Sequence, residues 1–282
     1  MESSRHPPAV LSIAGSDSGG GAGIQADIKA FARCGVHGMT AITAITAQNT
    51  VGVTGVWAVP PEAIVDQVRA VADDIGVSAV KIGMLGTVET IAAVEAALDL
   101  IPGAPVVLDP VMVSESGASL LDDDARSALR ERMLPRATVV TPNLPEAVAL
   151  AGGRQGTQAD GADGADVAAL ARAVKALGPA VVVVTGGHRV EAVDVFFDGD
   201  RLVDIPGERH SGGAAHGSGC THSSALAAHL ALGFEPLEAA RRAKEVAAEA
   251  VRHGLRGIGA GAGPVDALGL RAVWGEAGRG SA

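Results

Sequence analysis

Residues 216–222 combine glycines, small hydroxyl side chains and a cysteine, directly in front of a long run rich in alanine and leucine. The run predicts a helix, and the first turn of a helix has backbone N–H groups without intrahelical partners at the positive end of the helix dipole. Glycines let such a backbone wrap closely around an anion. The segment therefore predicts a binding loop for a phosphoryl group, and the alternative is a plain loop before an ordinary helix. The loop residues are Gly217, Ser218, Gly219 and Cys220.

Two carboxylates follow successive predicted strands, Asp109 directly after an apolar run and Glu146 a few residues after the next one. Mg²⁺ takes oxygen ligands and commonly binds through one or two carboxylates together with phosphates. The pair therefore suits a Mg²⁺ site. The alternative is a capping box, because Asn143 and Glu146 have the spacing of the N-cap and N3 residues of a helix.

A second glycine-rich loop, residues 15–23, follows the first apolar run. Gly21, Gly23 and Ala26 fit a dinucleotide-binding pattern, but that pattern expects an acidic residue about 20 positions later. No Asp or Glu occurs from residue 28 to residue 61, which disfavours a dehydrogenase. The chain also lacks a Gly-Lys pair, which excludes a Walker-type loop. A nucleoside triphosphate would therefore use the loop before the late helix.

Strand-length apolar runs alternate with helical patterns along the chain, and this alternation predicts a mostly parallel sheet. Two runs joined by an Asp-Gly turn, 193–197 and 201–205, predict an antiparallel edge. Ligands collect at the carboxyl ends of parallel strands, so we expect the polar residues there to share one site. The predicted strands are 9–14, 38–46, 79–82, 106–109, 138–141 and 181–185, and the predicted helices are 24–33, 62–74, 88–98, 122–133, 167–177 and 223–232.

Composition narrows the class of protein. The 282 residues are 48% hydrophobic but only 2% aromatic, and the net charge is −10. This acidity argues against a nucleic-acid surface, and the two cysteines form no disulfide framework. No apolar run is long enough to cross a membrane, so we expect a soluble, cytoplasmic protein without a membrane partner. We predict one domain at 9–275, a mobile loop at 152–166, and flexible tails at 1–8 and 276–282.

Lysine is rare in this chain, so any lysine that borders a pocket becomes a candidate phosphate contact. The lysines are Lys29, Lys81, Lys175 and Lys244.

In the order of its motifs, the chain resembles the bifunctional hydroxymethylpyrimidine and phosphomethylpyrimidine kinases of thiamine biosynthesis, within the ribokinase-like superfamily. The resemblance covers residues 9–268 and implies an α/β fold, a three-layer αβα sandwich with a mostly parallel central sheet and an antiparallel edge. It also implies ATP and Mg²⁺ as cofactors, small-molecule substrates and a homodimer. The segments that carry it are 14–17, 20–27, 46–50, 80–85, 107–112, 141–147, 186–188, 216–221 and 257–265.

The resemblance also assigns residues to the pyrimidine and to the nucleotide. It implies that Gln48 binds the pyrimidine, and a carboxamide can both donate to and accept from an aminopyrimidine edge. By residue type alone, Asp27 could instead be a solvated helix residue and Met84 a core residue. The implied substrate-binding residues are Gln48, Gly15, Asp27 and Met84, and the implied nucleotide-binding residues are Lys244, Thr185 and Asn143.

Cys220 stands where many sugar kinases of the superfamily carry a catalytic aspartate. A helix N-terminus lowers the pKa of a thiol, so we expect a thiolate that accepts the proton of the substrate hydroxyl. The alternative is a thiol that only shapes the pocket. For Lys244 the alternative is an exposed charge on a helix.

One departure from the family pattern is Thr185, where many relatives have lysine. Since a neutral hydroxyl cannot supply the missing positive charge, Lys244, the anion loop and Mg²⁺ would have to neutralise the phosphates. The second phosphorylation therefore depends on those groups, and whether Thr185 weakens it stays open. Two other functions stay open: a pyridoxal-type vitamin kinase on the same scaffold, and a pyrimidine-binding sensor without turnover.

Overall fold

A computed structural model of the chain describes residues 6–113, 117, 120–153, 166–187, 192–210 and 214–270. Ten strands lie within these ranges, and eight of them form one sheet. In chain order the strands are β1 (Ala9–Ala14), β2 (His37–Ile42), β3 (Ala44–Gln48), β4 (Val53–Ala58), β5 (Ala79–Ile82), β6 (Val106–Leu108), β7 (Val139–Val140), β8 (Val181–Val184), β9 (Asp194–Phe197) and β10 (Leu202–Ile205).

The order of strands in the main sheet is β10-β9-β8-β7-β6-β5-β1-β2. The six strands from β2 to β8 in this order pair in parallel, whereas β9 and β10 pair antiparallel with their neighbours. The predicted mostly parallel α/β sheet with an antiparallel edge is therefore confirmed.

Helices cover both faces of the sheet. The helices are α1 (Gly23–Arg33), α2 (Pro61–Asp74), α3 (Val88–Leu98), α4 (Asp123–Ala128), α5 (Leu144–Leu150), α6 (Val167–Lys175), α7 (Ser218–Ala231) and α8 (Pro236–Arg252). A π-helical turn at Leu129–Met133 continues α4. The predicted helix at 62–74 is confirmed and begins one residue earlier, and the predicted helix at 88–98 is confirmed with the same first and last residues.

Two hydrophobic cores lie on opposite faces of the sheet, because successive strand residues point to opposite sides. In β8, Val182 and Val184 belong to the core under α2 to α6, whereas Val181 and Val183 belong to the core under α1, α7 and α8. This division makes the three layers. Polar residues on the second face, such as Lys81, lie under α1 and α7.

The predicted strand at 38–46 is wrong as a single element. The chain leaves the main sheet at Thr43, whose N–H donates to the Ala14 carbonyl, and then forms β3, which pairs antiparallel with β4. The apolar run continues through the break, so hydrophobicity alone could not mark it. This separate hairpin carries Gln48 at the end of β3.

The late helix also begins earlier than predicted, at Ser218 instead of residue 223, so the anion loop forms its first turn. The predicted tails lie mostly outside the described residues, and the predicted mobile loop at 152–166 lies there for most of its length. The domain limits at 9 and 275 therefore stay predictions. Within the described ranges, none of the helices has both the length and the apolar character needed to span a bilayer.

Candidate active site

A cavity of about 420 Å³ opens at the carboxyl ends of β1, β5, β6, β7 and β8. The predicted site residues border it, with Asp27 the exception. They come from separate strand ends, from the hairpin and from two late helices, and the parallel sheet brings them together. The bordering residues among those predicted are Gly15, Gln48, Met84, Asp109, Asn143, Glu146, Thr185, Gly217, Ser218, Gly219, Cys220 and Lys244.

The anion loop depends on a glycine at its entrance. Gly217, the N-cap of α7, has φ 85°, in the left-handed region that favours glycine. A Cβ atom at this position would also overlap the Gly21 carbonyl oxygen. The loop before α7 and the loop before α1 therefore pack against each other, and no larger residue fits between them.

Asp17 and His216 join these two loops. Asp17 accepts hydrogen bonds from the N–H groups of Gly19, Gly21 and Ala22, and its Oδ2 lies 3.0 Å from His216 Nε2. Burial raises the pKa of Asp17, but the bonds from His216 and the loop backbone outweigh it and hold the pKa below its usual value. The charged carboxylate thus fixes the shape of both glycine loops.

Cys220 borders the cavity and is partly exposed. Burial raises the pKa of its thiol to about 12; Lys81 opposes this rise, while the charges of Asp27 and Asp109 add to it. The expected lowering at the helix N-terminus is therefore wrong, because desolvation and two carboxylates outweigh it. The surroundings of Cys220 therefore favour the neutral thiol.

Asp27 lies in a buried network beneath the cavity. Its carboxylate pairs with Lys81 Nζ at 3.0 Å and accepts hydrogen bonds from Ser12 Oγ at 2.6 Å and Ser224 Oγ at 2.7 Å. The side chains of Asp27 and Lys81 are both fully buried. The structure therefore places Asp27 away from the position expected of a pyrimidine ligand and makes it the partner of Lys81, which does border the cavity.

Asp109 and Glu146 form a second buried pair, this time of like charge. Ser223 Oγ donates to Asp109 Oδ2 at 2.9 Å. The Asn143 N–H donates to Glu146 Oε2 at 2.8 Å, and the Glu146 N–H donates to Asn143 Oδ1 at 2.9 Å. The capping box is therefore present, yet both of its side chains also border the cavity.

The pKa values of this pair reflect its burial. Burial and then the neighbouring Asp109 charge raise the pKa of Glu146 to about 8. Burial also raises the pKa of Asp109, although Lys81 and the Ser223 hydroxyl oppose the rise. Among the described residues, no group of three or more His, Cys, Asp or Glu side chains could hold a metal ion by itself. A cation at this pair would need further ligands from water or phosphate.

Lys244 is not an exposed helix charge. Its Nζ lies 2.5 Å from Asp194 Oδ1, and its side chain is 12% exposed. Asp194 also accepts from the Gly186 N–H, and its Oδ2 lies 3.4 Å from His222 Nε2 without forming a hydrogen bond. Lys244, Asp194 and His222 all border the cavity, as does Thr185. Asp194 Oδ2 and the ring nitrogens of His222 are buried there without a hydrogen-bond partner.

The opposite wall is less charged. The Thr46 hydroxyl lies 3.3 Å from Gln48 Oε1 and donates to the Ser16 carbonyl at 2.8 Å. A Cβ atom at Gly15 would lie 3.2 Å from Met84 Sδ, so the glycine lets the methionine approach the backbone. The carboxamide of Gln48 beside an apolar Met84 suits a flat heterocycle with a polar edge.

Sequence reasoning named Lys81 only as one of four candidate phosphate contacts, and it assigned no individual role to His216, Asp194 or His222. One signal was available, because a lysine inside the apolar strand β5 is unusual unless it has a buried partner. The others needed the three-dimensional contacts. The segment at 207–216, for which the sequence leaves open whether it closes over substrate, is described at 207–210 and 214–216, and Arg209 and His210 border the cavity.

Comparisons with known proteins agree with this arrangement. The sequence matches the family described as phosphomethylpyrimidine kinase over residues 17–266. It is 47% identical over 263 residues to the hydroxymethylpyrimidine/phosphomethylpyrimidine kinase of Streptomyces coelicolor, covering 92% of this chain and 94% of that one. Its identity to the enzyme of the same name from Rhizobium meliloti is 50% over 258 residues, covering 90% and 95% of the two chains.

The fold also matches the solved structure of pyridoxal kinase from Staphylococcus aureus in complex with ADP. The TM-score is 0.83 at 33% identity, with 95% of this chain and 96% of that chain covered. The fold is thus that of vitamin kinases, and sequence identity is higher to the pyrimidine kinases. The chain belongs to the phosphomethylpyrimidine kinase family.

Proposed function

We propose that this protein transfers the γ-phosphoryl group of ATP to the hydroxymethyl group of 4-amino-5-hydroxymethyl-2-methylpyrimidine, and then phosphorylates the resulting monophosphate to the diphosphate. The observation that carries the proposal is the cavity in which the anion loop before α7 faces the carboxylates of Asp109 and Glu146. Phosphoryl transfer depends chiefly on positioning and on stabilising charge, and this cavity offers both. The family match supports the choice of substrate.

The transfer itself forms one bond and breaks one. The hydroxyl oxygen of the pyrimidine attacks the γ-phosphorus, and the bond from that phosphorus to the bridging oxygen breaks, with its electron pair leaving on ADP. The hydroxyl proton goes to the Cys220 sulfur. Since burial keeps Cys220 a thiol, its own proton must first pass to solvent water as the substrates bind, and the resulting thiolate then accepts the hydroxyl proton. The backbone N–H groups of the anion loop hold the phosphates.

Mg²⁺ fits the Asp109–Glu146 pair. Two buried carboxylates of like charge raise each other's proton affinity, and a divalent cation would remove that repulsion. When bound there, Mg²⁺ would neutralise phosphate charge during the transfer. Asp109 and Glu146 would hold it together with phosphate oxygens and water.

A pyridoxal kinase is the second candidate, favoured by the close match to the Staphylococcus aureus fold. Both substrates are small flat heterocycles with a hydroxymethyl group. The higher identity to the pyrimidine kinases, together with the Gln48 carboxamide on the cavity wall, favours the pyrimidine.

ADP release with hydroxymethylpyrimidine, its monophosphate and pyridoxal, measured side by side with Mg-ATP, tests the proposal. We expect ADP with both pyrimidines, at a lower rate with the monophosphate, and little with pyridoxal. Turnover that favours pyridoxal would replace the pyrimidine assignment. An absence of ADP with all three would overturn the kinase proposal and leave a sensor.

The two cysteines provide a test variant and a matched control for the role of Cys220 in proton transfer. Cys220→Ala should lower kcat by on the order of 10²- to 10⁴-fold, the usual contribution of general base catalysis. Cys34→Ala, at the end of α1 and away from the cavity, should leave kcat unchanged. If Cys220→Ala keeps wild-type turnover at neutral pH, Cys220 is not the proton acceptor.

We also propose a cytoplasmic homodimer. Cys34 and Cys220 are both free thiols, which suits a reducing compartment. The hairpin of β3 and β4 pairs Ile45 with Trp57, and these apolar residues are 53% and 59% exposed. Light scattering should give twice the chain mass, and Trp57→Glu should give the monomer. A monomeric wild type would overturn the proposed dimer. Recovery of the protein with exported rather than cytoplasmic proteins on cell fractionation would overturn the proposed location.

A further inference from the structure

Lys81 is a fully buried lysine at the floor of the cavity, and the phosphoryl transfer described above does not use it. Its Nζ lies 3.0 Å from Asp27 Oδ1 and 3.1 Å from Asp27 Oδ2. A Cβ atom at Gly83 would lie 2.8 Å from the same Nζ, so the ammonium group is closely surrounded. Burying a lysine is costly, and a buried ion pair contributes little stability compared with apolar residues of the same volume. The pair therefore calls for a reason other than stability.

Two helices place this ion pair next to Cys220. On α7, Ser224 follows Cys220 by one turn and lies on the same helix face, and its Oγ donates to Asp27 Oδ1 at 2.7 Å. On α1, Asp27 follows Gly23 by one turn, and the Gly23 backbone lies beside the Cys220 thiol, whose pKa it lowers. Both helices thus present the cysteine and the partner of Lys81 on the same side, one turn apart.

Asp27 is arranged to hold Lys81 and has no oxygen left to face the cavity. One oxygen accepts from Ser12 and the other from Ser224, and both lie within ion-pair distance of Lys81. Its side chain is fully buried and does not border the cavity, whereas Lys81 does. A substrate can therefore meet the ammonium group but not the carboxylate.

We propose that Lys81 is a positioning residue of the kinase that acts through Cys220, as the fixed positive charge that stabilises negative charge on the cysteine sulfur. This inference rests on the proposed function, because it gives Cys220 the role of proton acceptor. The charged groups around the sulfur are Lys81 from β5, Asp27 from α1 and Asp109 after β6. Lys81 is the one cation among these three, and it opposes the two carboxylates.

The test compares two variants that both lack the Asp27 charge and differ only in the Lys81 charge. In a Cys34→Ala background, Cys220 is the sole thiol. Asp27→Asn keeps Lys81, whereas Asp27→Asn with Lys81→Gln replaces the ion pair by two amides that can bond to each other. The rate of iodoacetamide reaction at fixed pH reports the thiolate fraction of Cys220 without any turnover. Lys175→Gln on α6, in the opposite layer, is the matched lysine control.

We expect Asp27→Asn to react at least about tenfold faster than the double variant, since a nearby opposite charge typically shifts a pKa by 1–3 units. The double variant should also lose about tenfold or more in kcat relative to Asp27→Asn, with KM little changed. The lysine control should alter neither quantity. If the double variant does not fold, Lys81→Met in the same Asp27→Asn background replaces it. If Asp27→Asn does not fold, because it leaves Lys81 buried without its carboxylate, the parent protein and Lys81→Met, which both keep Asp27, give the same comparison.

Equal alkylation rates in the two variants would overturn the inference, whether or not the protein is a kinase. Different alkylation rates with equal kcat would also overturn it, because Lys81 would then affect the sulfur without affecting the transfer. The kinase proposal fails separately, when the wild type releases no ADP with any substrate.

Discussion

Two buried pairs of charged residues lie at this cavity, and they are opposite in kind. Lys81 and Asp27 carry opposite charges, and both oxygens of Asp27 have serine partners. Asp109 and Glu146 are both carboxyl groups, and burial raises the pKa of both, so the pair favours holding a proton. The first pair is complete with the protein's own side chains, whereas the second is complete only when a cation or a proton joins it.

The Lys81–Asp27 pair is therefore a preformed part of the site, whereas the Asp109–Glu146 pair is a part that needs a bound cation. A satisfied ion pair keeps its geometry before substrate arrives, which is what positioning a reacting group requires. A carboxyl pair with raised pKa values avoids repulsion by keeping a proton, and a cation that binds there takes the place of this proton. Both pairs act on the Cys220 thiol, with Lys81 opposing the effect of Asp109.

The largest expected effect comes from breaking the satisfied pair on one side only. Lys81→Met leaves Asp27 buried without its cation, and removing one partner of a buried pair costs about 3–5 kcal/mol. Urea unfolding should show this loss, and adding Asp27→Asn should restore most of the stability. A double variant as unstable as Lys81→Met would show that the pair is not an isolated unit.

Breaking the like-charge pair should affect activity more than stability. Asp109→Asn should lower kcat by on the order of 10²- to 10³-fold, the range seen when one group that stabilises transition-state charge is removed. Its unfolding free energy at pH 8 should equal or exceed that of the wild type, because a repelling buried charge is gone. Asp124→Asn, on the exposed face of α4, is the control. A marked loss of stability in Asp109→Asn would contradict the repulsion.

The pH dependence of stability sharpens the comparison further. The folded pKa of Glu146, about 8, lies above its ordinary value of 4.5. As pH rises between these values, the unfolded chain releases a proton that the folded protein keeps, so this group lowers the free energy of unfolding. Glu146→Gln should therefore gain stability over the wild type progressively across that window. A difference that stays constant with pH would contradict the raised pKa.

The smallest expected effect concerns Thr185, the neutral residue on the wall that carries Lys244 and Asp194. Thr185→Lys adds a positive charge at a partly exposed position, which is worth about 0.2–1 kcal/mol. We expect kcat/KM for the monophosphate to rise by about two- to fivefold, and more than for the first substrate. Ala96→Lys on the exposed side of α3 should change neither value. Equal gains with both substrates would mean that Thr185 does not limit the second step.

Much of the fold could be predicted because the alternation of apolar strands and amphipathic helices is local in the sequence. The strands β1 and β5 and the helix α3 have their predicted bounds. The break at Thr43 could not be predicted, since it depends on the Ala14 carbonyl in a distant strand. The early start of α7 depends likewise on the packing of Gly217 against Gly21.

The residues that border the cavity could be predicted because they lie at strand ends and in glycine-rich loops. The predictions that failed are those that depend on how deeply a side chain is buried. The pKa of Cys220 rises because desolvation outweighs the helix dipole, and desolvation is not visible in a sequence. Asp27 reads as a pocket residue until the structure shows Lys81, Ser12 and Ser224 around it.

The most direct test of the contrast between the two pairs is Mg²⁺ binding to the protein without nucleotide at pH 7, measured by calorimetry in two buffers of different ionisation enthalpy. Since the pKa of Glu146 is about 8, the wild type should release close to one proton as the cation binds. Glu146→Gln should release almost none and bind Mg²⁺ more weakly. Mg²⁺ binding without proton release in the wild type, or equal release by the variant, would contradict the claim that a bound cation displaces a proton from the Asp109–Glu146 pair.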